Sequence, residues 1–350
     1  MAMRKLLRAN EQQSSRSTTT ARILFVPLVL LLSSGYLVFY LFFANQKGVS
    51  GCFLSVVGSL NNQPATSTST RRPKLADGCL HVFLDAGANI GIHSRFLFEP
   101  HQYPLAVEPH KIFNEAFGEQ RDPRDVCAFA FEPNPAHQPR QQALQAAYAK
   151  MGWKYFPIHA GVGDVENTTL TFHHNDPLAD GSNNVNSEWG FSVVDRYNKG
   201  AKSAVEVPIV HLAHWIQREI HGRTIPKTIY GNYNHQPPIP RVVFKMDIEG
   251  MEFLVTPSLI FSGIMCQDID FLFGEFHDAA HIPKRAAINP QTGQGELAAF
   301  ANWEKARDQY MAMWSAMKAV HPNDCKARYI DMPDKEHYLK DGIPFPTRPP

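Results

Sequence analysis

The sequence has no excess of charge of either sign: 34 Lys and Arg stand against 33 Asp and Glu, for a net charge of +1. That balance removes the electrostatic case for a nucleic-acid partner. Cysteines are few, Cys52, Cys79, Cys127, Cys266 and Cys325, and none sits in a C-x-x-C pair, so nothing points to a structural zinc site. Internal repeats are absent. Charge is missing altogether from residues 23–43, a predominantly apolar run of about the length that crosses a bilayer. The run is longer than the apolar stretch of a signal peptide, roughly 7 to 15 residues, and no small-x-small cleavage site follows it. Arg4, Lys5, Arg8, Arg16 and Arg22 precede it, and only Lys47 follows closely. The positive-inside rule then gives a single-pass type II anchor, with a cytosolic tail and the remainder in the lumen of the ER or Golgi. A cleaved signal peptide is the competing reading.

Beyond the run, composition predicts a flexible stem over 44–76, rich in Gly, Ser, Asn and Thr, a globular domain over 77–342, and a loose Pro-rich tail over 343–350. Residues 1–22 are polar and read as disordered. Within the domain, short apolar runs alternate with helical patterns. Strands are expected at 81–85 (HVFLD), 126–132 (VCAFAFE), 153–159, 241–247 (RVVFKMD), 269–276 (IDFLFGEF) and 328–331, with a hairpin arm at 170–173. Helices are expected at 91–98, 139–150, 251–264 and 297–320, the last carrying Phe300, Trp303, Tyr310, Trp314 and Met317 near helical spacing against the sheet. Such alternation argues an α/β, doubly wound, mostly parallel sheet with helices on both faces. Ligands of these sheets sit outside the carboxyl ends of the strands. Asp85, Glu132, Asp247 and His277 all fall at strand exits, delivering polar groups to one rim.

Three motifs carry chemistry. Asp85-Ala86-Gly87-Ala88-Asn89-Ile90-Gly91 is a strand-to-helix turn in which Gly87 would let the backbone approach a ligand closely. It lacks the G-x-G-x-x-G spacing of the dinucleotide fingerprint. Glu132, followed by Pro133-Asn134-Pro135, is placed to accept hydrogen bonds from a ribose diol. It lies 47 residues after Asp85, which implies an insertion over about 99–125. Glu108 is a rival at nearer spacing, but the run before it is too short for a central strand. Lys245-Met246-Asp247-Ile248-Glu249-Gly250-Met251-Glu252 is the most specific string. DAGANIG, FEPNP and KMDIEGMEF, in this order, resemble the FkbM family of S-adenosylmethionine-dependent methyltransferases, over roughly residues 79–277.

The resemblance implies a class I methyltransferase (Rossmann-like) fold and O-methylation, often of sugar or polyketide hydroxyls. It assigns Asp85, Gly87, Asn89, Gly91 and Glu132 to the cofactor, S-adenosyl-L-methionine. Gly163 and Asp164, in the segment 161–164, would flank the adenine. Asp247 and Glu249 would lie near the reacting centre. The acceptor would be a glycan or small hydroxylated molecule. Methylating an alcohol requires aligning its oxygen and removing its proton. His277 is the candidate general base, with an expected rise in rate near its reference pKa of about 6.5; a structural or solvated histidine is the alternative. No metal is assigned, although Asp247, Glu249, Glu275 and His277 also make an oxygen-rich set.

Other features leave readings open. The loop over 175–203, with Trp189-Gly190-Phe191, reads either as a cover offering a stacking face to a sugar or as an ordinary surface loop. Asn167-Thr168-Thr169 is a glycosylation sequon. Asp268-Ile269-Asp270 is the D-x-D of a Golgi-type glycosyltransferase, but it precedes its strand and falls on the opposite rim. An inactive, membrane-tethered binding module on the same fold is a third class. Cys79 lies six residues before Asp85 and Cys127 five before Glu132, so neighbouring parallel strands would bring both to one entry end. Cys266 and Cys325 likewise precede late strands. The expected disulfides are 79–127 and 266–325, with buried thiols as the alternative.

Overall fold

The computed structural model describes residues 71–174, 190–195, 204–233, 238–277, 303–320, 325–332 and 341–347, with short stretches at 28–31, 36–40 and 56–59 before them. The chain divides into two units at Arg71 and Arg72. In the first, Leu28–Leu31 pairs antiparallel with Tyr36–Tyr40, which pairs antiparallel with Val56–Ser59. The span read as a transmembrane helix at 23–43 falls partly on two of these strands and otherwise lies outside the described residues. No helix among the described residues is long and apolar enough to cross a membrane.

The second unit runs, in chain order, β1 (His81–Ala86), α1 (Ile92–Phe98), α2 (Val107–Phe117), β2 (Val126–Phe131), α3 (Gln138–Lys150), β3 (Lys154–Ile158) and β4 (Gly161–Gly163). There follow β5 (Thr168–His174), β6 (Phe191–Ser192), β7 (Ala204–His211), α4 (Leu212–Glu219), β8 (Val242–Met246) and α5 (Glu252–Phe261). The remainder is α6 (Ile264–Gln267), β9 (Phe271–Gly274), α7 (Trp303–Val320) and β10 (Arg328–Asp331). Six strands form one parallel sheet in the order β10-β9-β8-β1-β2-β3. The chain leaves β1 toward β2 on one side and β8 toward β9 on the other, so the order reverses between β1 and β8. That is the switch point at which open α/β sheets bind ligands.

The strands are apolar without alternation because both sheet faces are covered. On one face Val82, Leu84, Phe129, Phe131, Phe244 and Leu272 pack with residues of α4, α5, α6 and α7, Trp215, Leu259, Ile264 and Trp314 among them. On the other, Phe83, Ala128, Val243 and Phe273 pack with α1, α2 and α3 through Phe96, Phe113, Phe117 and Tyr148. The long β1–β2 connection is thus no loose insertion: it carries α2, whose Ile112, Phe113 and Phe117 belong to that core.

A smaller sheet, β4-β7-β5-β6, runs beside it around Phe172, Phe191, Val207 and Ile209. The expected hairpin arm is its strand β5, but β7 was not foreseen because Pro208 interrupts its run. The structure tolerates the proline because β4 pairs with β7 only from Ile209 onward. Phe191 of the 175–203 loop is buried in this core, while Trp189, the residue read as a stacking face for a sugar, lies outside the described residues.

The C-terminal segment differs from the loose tail read from its prolines. Arg95, completely buried on α1, binds Glu99 bidentately at 2.8 Å and donates to Asp341, to the Ile343 carbonyl and to the Pro344 carbonyl. Arg140 of α3 reaches Asp341 at 2.7 Å and the Ile90 carbonyl at 3.3 Å. Phe345 lies against both guanidinium groups.

Both expected disulfides are present, Cys79–Cys127 and Cys266–Cys325, with Cα atoms 5.6 and 4.1 Å apart. They lie at the entry end of the parallel sheet, as the register His81↔Val126 requires of the first. Cys52 lies outside the described residues. The first closes a separation of 48 residues, for which the chain entropy removed from the unfolded state corresponds to about 4 kcal/mol. Replacing Cys79 and Cys127 together by alanine should lower the unfolding free energy by about 2 to 5 kcal/mol in denaturant titrations. Non-reducing peptide mapping should recover both cross-linked peptides.

Candidate functional site

The site is built where β1 and β8 end side by side. Register places Asp85 opposite Lys245, with both side chains on one face of the sheet and both buried. Lys245 Nζ donates to the Gly87 carbonyl at 2.8 Å and to Asp247 Oδ2 at 3.1 Å, and lies 3.9 Å from Asp85 Oδ1. Among the described residues neither oxygen of Asp85 has a hydrogen-bond partner. Burial raises its pKa to about 7, against the opposing pull of Lys245.

The turn after β1 is held by Glu132 at the exit of β2. Its Oε2 accepts from the Asn89 N–H at 2.6 Å and its Oε1 from the Asn134 N–H at 2.7 Å. Asn89 adopts a left-handed conformation, φ 49°, and its carbonyl accepts from Gln141 Nε2. Burial raises Glu132 to about 7 despite these N–H groups. Each carboxylate oxygen has a second lone pair for a further donor. Glu108, the rival acid, is exposed on α2 and paired with Lys111, away from any strand exit.

Gly87 has a reason to be glycine beyond the one the motif suggested. At φ 77° its missing side chain would stand 1.7 Å from the Asp247 carbonyl oxygen, so the close approach is to the turn after β8. Gly91 caps α1, with Leu144 and Tyr155 packed where a side chain would go. Gly163 lies on the second sheet against Ile209 and Met251, and Asp164 follows it, half-buried.

Beyond β8 the chain turns through Asp247, Ile248 and Glu249 into α5. Glu249 is a non-glycine residue at φ 55°, a costly conformation of the kind that clusters at functional sites. Glu252 Oε1 caps this turn by accepting from the Ile248 N–H and also accepts from the His277 Nδ1–H at 2.9 Å. His277 Nε2 faces Glu275 at 3.2 Å, Asp247 at 3.6 Å and Glu249 at 3.8 Å. Burial acts to lower the pKa of His277, but Glu252, Asp247 and Glu249 outweigh it and raise it to about 10. Burial likewise acts to raise Asp247, yet Lys245 and His277 hold it below the ordinary carboxylate range. The surrounding carboxylates therefore favour the protonated imidazole at neutral pH, and a base role for His277 would move the rise in rate upward from 6.5.

The structure brings together Asp85, Gly87, Asn89, Glu132, Asp247, Glu249 and His277 at the exits of β1, β2, β8 and β9. Two participants were missed. Lys245 was legible as the one charge inside an otherwise apolar strand, and Glu252 as the last acid of the KMDIEGME string. The D-x-D pair is occupied on the opposite rim: Asp268 bonds His221 at 3.0 Å, and Asp270 bonds Arg241 at 2.7 Å and the Val242 N–H at 2.8 Å.

Two outcomes follow from this packing. Gly87→Ala should destabilise the domain itself by at least about 1 kcal/mol, measured by chemical unfolding without ligand, because the added carbon meets backbone. Asp85→Asn should do the reverse. The native Asp85 carboxyl keeps its proton to about 7 whereas the unfolded one releases it near 3.8. Its contribution to stability is therefore full below the unfolded value and lost as pH rises through the native one. The Tm advantage of Asp85→Asn over the parent should widen from about pH 4 to about pH 8; a constant gap would contradict the buried carboxylate.

Comparison of the chain with protein-family models, with curated proteins and with solved structures returns no match, so the FkbM resemblance stands on its three motifs.

Proposed function

We propose that the second unit is an S-adenosylmethionine-dependent O-methyltransferase acting on a hydroxyl, with a glycan in the secretory-pathway lumen as the acceptor class. The observation that carries this reading is the Asp85 carboxylate, buried at the switch point of the sheet without a hydrogen-bond partner among the described residues. An anion left so is costly unless a donor completes it, and the amino group of a bound methionyl moiety is such a donor. Glu132, with a lone pair remaining on each oxygen, suits a ribose diol. The donor set thus fits the cofactor that the motifs imply. Bound there, it supplies a methyl group already activated by a sulfonium, so that transfer needs an aligned hydroxyl and an acceptor for its proton.

The chain's own residues meet those two needs. Glu249, held at the rim by its left-handed backbone, takes up the hydroxyl proton. His277, positively charged, fixes Asp247, Glu249 and Glu275 around the place where the acceptor oxygen sits. Lys245 neutralises Asp247 and anchors the turn that backs the cofactor. The two disulfides are compatible with a lumenal compartment, and the type II anchor stays part of the proposal on the strength of the apolar, uncharged run at 23–43 and the basic residues before it.

Calorimetry on the full-length chain tests the reading. S-adenosylmethionine should bind, Glu132→Ala should weaken it by about 1.5 to 3 kcal/mol, and Glu108→Ala should leave it unchanged. With a methylated glycan as readout, Glu249→Gln should lower kcat by roughly 10² to 10⁴ without altering cofactor affinity. Absence of binding, or equal loss in the two glutamate variants, would sink the assignment.

A further inference from the structure

Among the described residues, the cluster around His277 holds more carboxylate than cation. Asp247, Glu249, Glu252 and Glu275 surround one imidazole, and Lys245 on the flank is engaged by Asp247 and the Gly87 carbonyl. Three of these groups, Asp247, Glu275 and His277, each present a ligand atom within 4.8 Å of the other two. The Glu275 separation matches a single ion as it stands, and the Asp247 separation comes within a few tenths of an ångström of it. Donors about 2.1 Å from a divalent metal stand about 3.0 to 3.4 Å apart at octahedral or tetrahedral angles. His277 Nε2 lies 3.2 Å from Glu275 and 3.6 Å from Asp247.

A second observation is independent of that convergence. Glu252 is completely buried, holds the far nitrogen of His277 at 2.9 Å, and has an Oε2 without a hydrogen-bond partner among the described residues. A carboxylate on Nδ1 keeps a proton there, so that an ion displacing the Nε2 proton of the imidazolium would meet a lone pair on Nε2, the supporting arrangement behind most metal-bound histidines. Asp247 is oriented in the same way, its Oδ2 engaged by Lys245 and its Oδ1 turned toward His277. A solvated acidic surface would not need a fully buried glutamate behind its one histidine.

We infer that Asp247, Glu275 and His277 bind one divalent first-row cation, with Glu252 and Lys245 as the residues that position its ligands. One imidazole with two carboxylates favours manganese, iron or zinc over magnesium or calcium. On the methyltransferase reading, on which its role but not its existence rests, the ion would hold the acceptor hydroxyl and ease its ionisation beside Glu249.

The probe is Mn²⁺, titrated by calorimetry and by electron paramagnetic resonance into the full-length chain after chelator treatment and dialysis. One ion should bind per chain. Asp247→Asn and Glu275→Gln should each weaken it by at least about tenfold, and Glu252→Gln, which touches no ion, by about tenfold as well. Glu108→Gln, an exposed acid, should change nothing. Circular dichroism checks that each variant is folded. A measurement on the unmodified chain guards against variants that fail to fold: substoichiometric Mn²⁺ should broaden the His277 ring resonances before those of other histidines. Absence of saturable binding, unchanged affinity in the Asp247→Asn, Glu275→Gln double variant, or no selective broadening would each overturn the site. Binding of Mn²⁺ without affinity for S-adenosylmethionine would keep the metal site and refute the methyltransferase reading; the reverse would refute the metal site alone.

Discussion

Everything at the rim depends on the ammonium of Lys245. It sits in the interior of a parallel sheet, where an unpaired charge is expensive, and it is compensated by groups from two different strands. Its bond to the Gly87 carbonyl ties down the turn after β1, and its bond to Asp247 ties down the turn after β8. Remove that charge and Asp85, Asp247 and Glu132 face one another across a poorly solvated space, with their mutual repulsion unrelieved. The close packing of Gly87 on the Asp247 carbonyl makes the constraint mutual: the turns cannot separate without abandoning the lysine, nor the lysine shift without opening the turns.

This arrangement also explains why carboxylates so near in space differ so much in proton affinity. Asp247 receives a hydrogen bond from Lys245 and faces His277, which outweigh its burial, and its pKa falls; Asp85 is farther from the same lysine, and its burial raises its pKa. A site offering one firmly ionised acid beside one poised near neutrality can hold both a cation and a neutral donor.

Much of this was readable in the sequence, and what was not has identifiable causes. The six parallel strands announce themselves as apolar runs because both faces are covered, and the positions of Cys79 and Cys127 near the strand starts sufficed to pair them. Glu132 could be preferred to Glu108 because a buried strand leads to one and not to the other. The packing of Gly87 on the turn after β8 was not legible because a glycine in a turn looks the same whether ligand or protein backbone approaches it. The pull of its neighbours on His277 was not legible because it depends on Glu252, which joins the site only through the hydrogen bond across the α5 turn. Strand β7 was hidden by Pro208, which in isolation argues against a strand and here sits beyond the reach of its parallel neighbour.

The strap formed by residues 341–345 sets an order on biosynthesis. Arg95 is buried on the first helix of the domain, and its bond to Asp341 spans 246 residues of sequence. Until the ribosome has released nearly the whole chain, that guanidinium has only Glu99 for a counter-charge, and the face of α1 and α3 beneath Phe345 stays wet. The native setting of the first βα unit is thus completed by residues that emerge last. A chain truncated before residue 341 would lose more than a few disordered residues. It would leave a buried arginine half-compensated and Arg140, which also holds the Ile90 carbonyl, without its anchor. The consequence would be felt at the turn that begins with Asp85, though no residue of that turn had been touched.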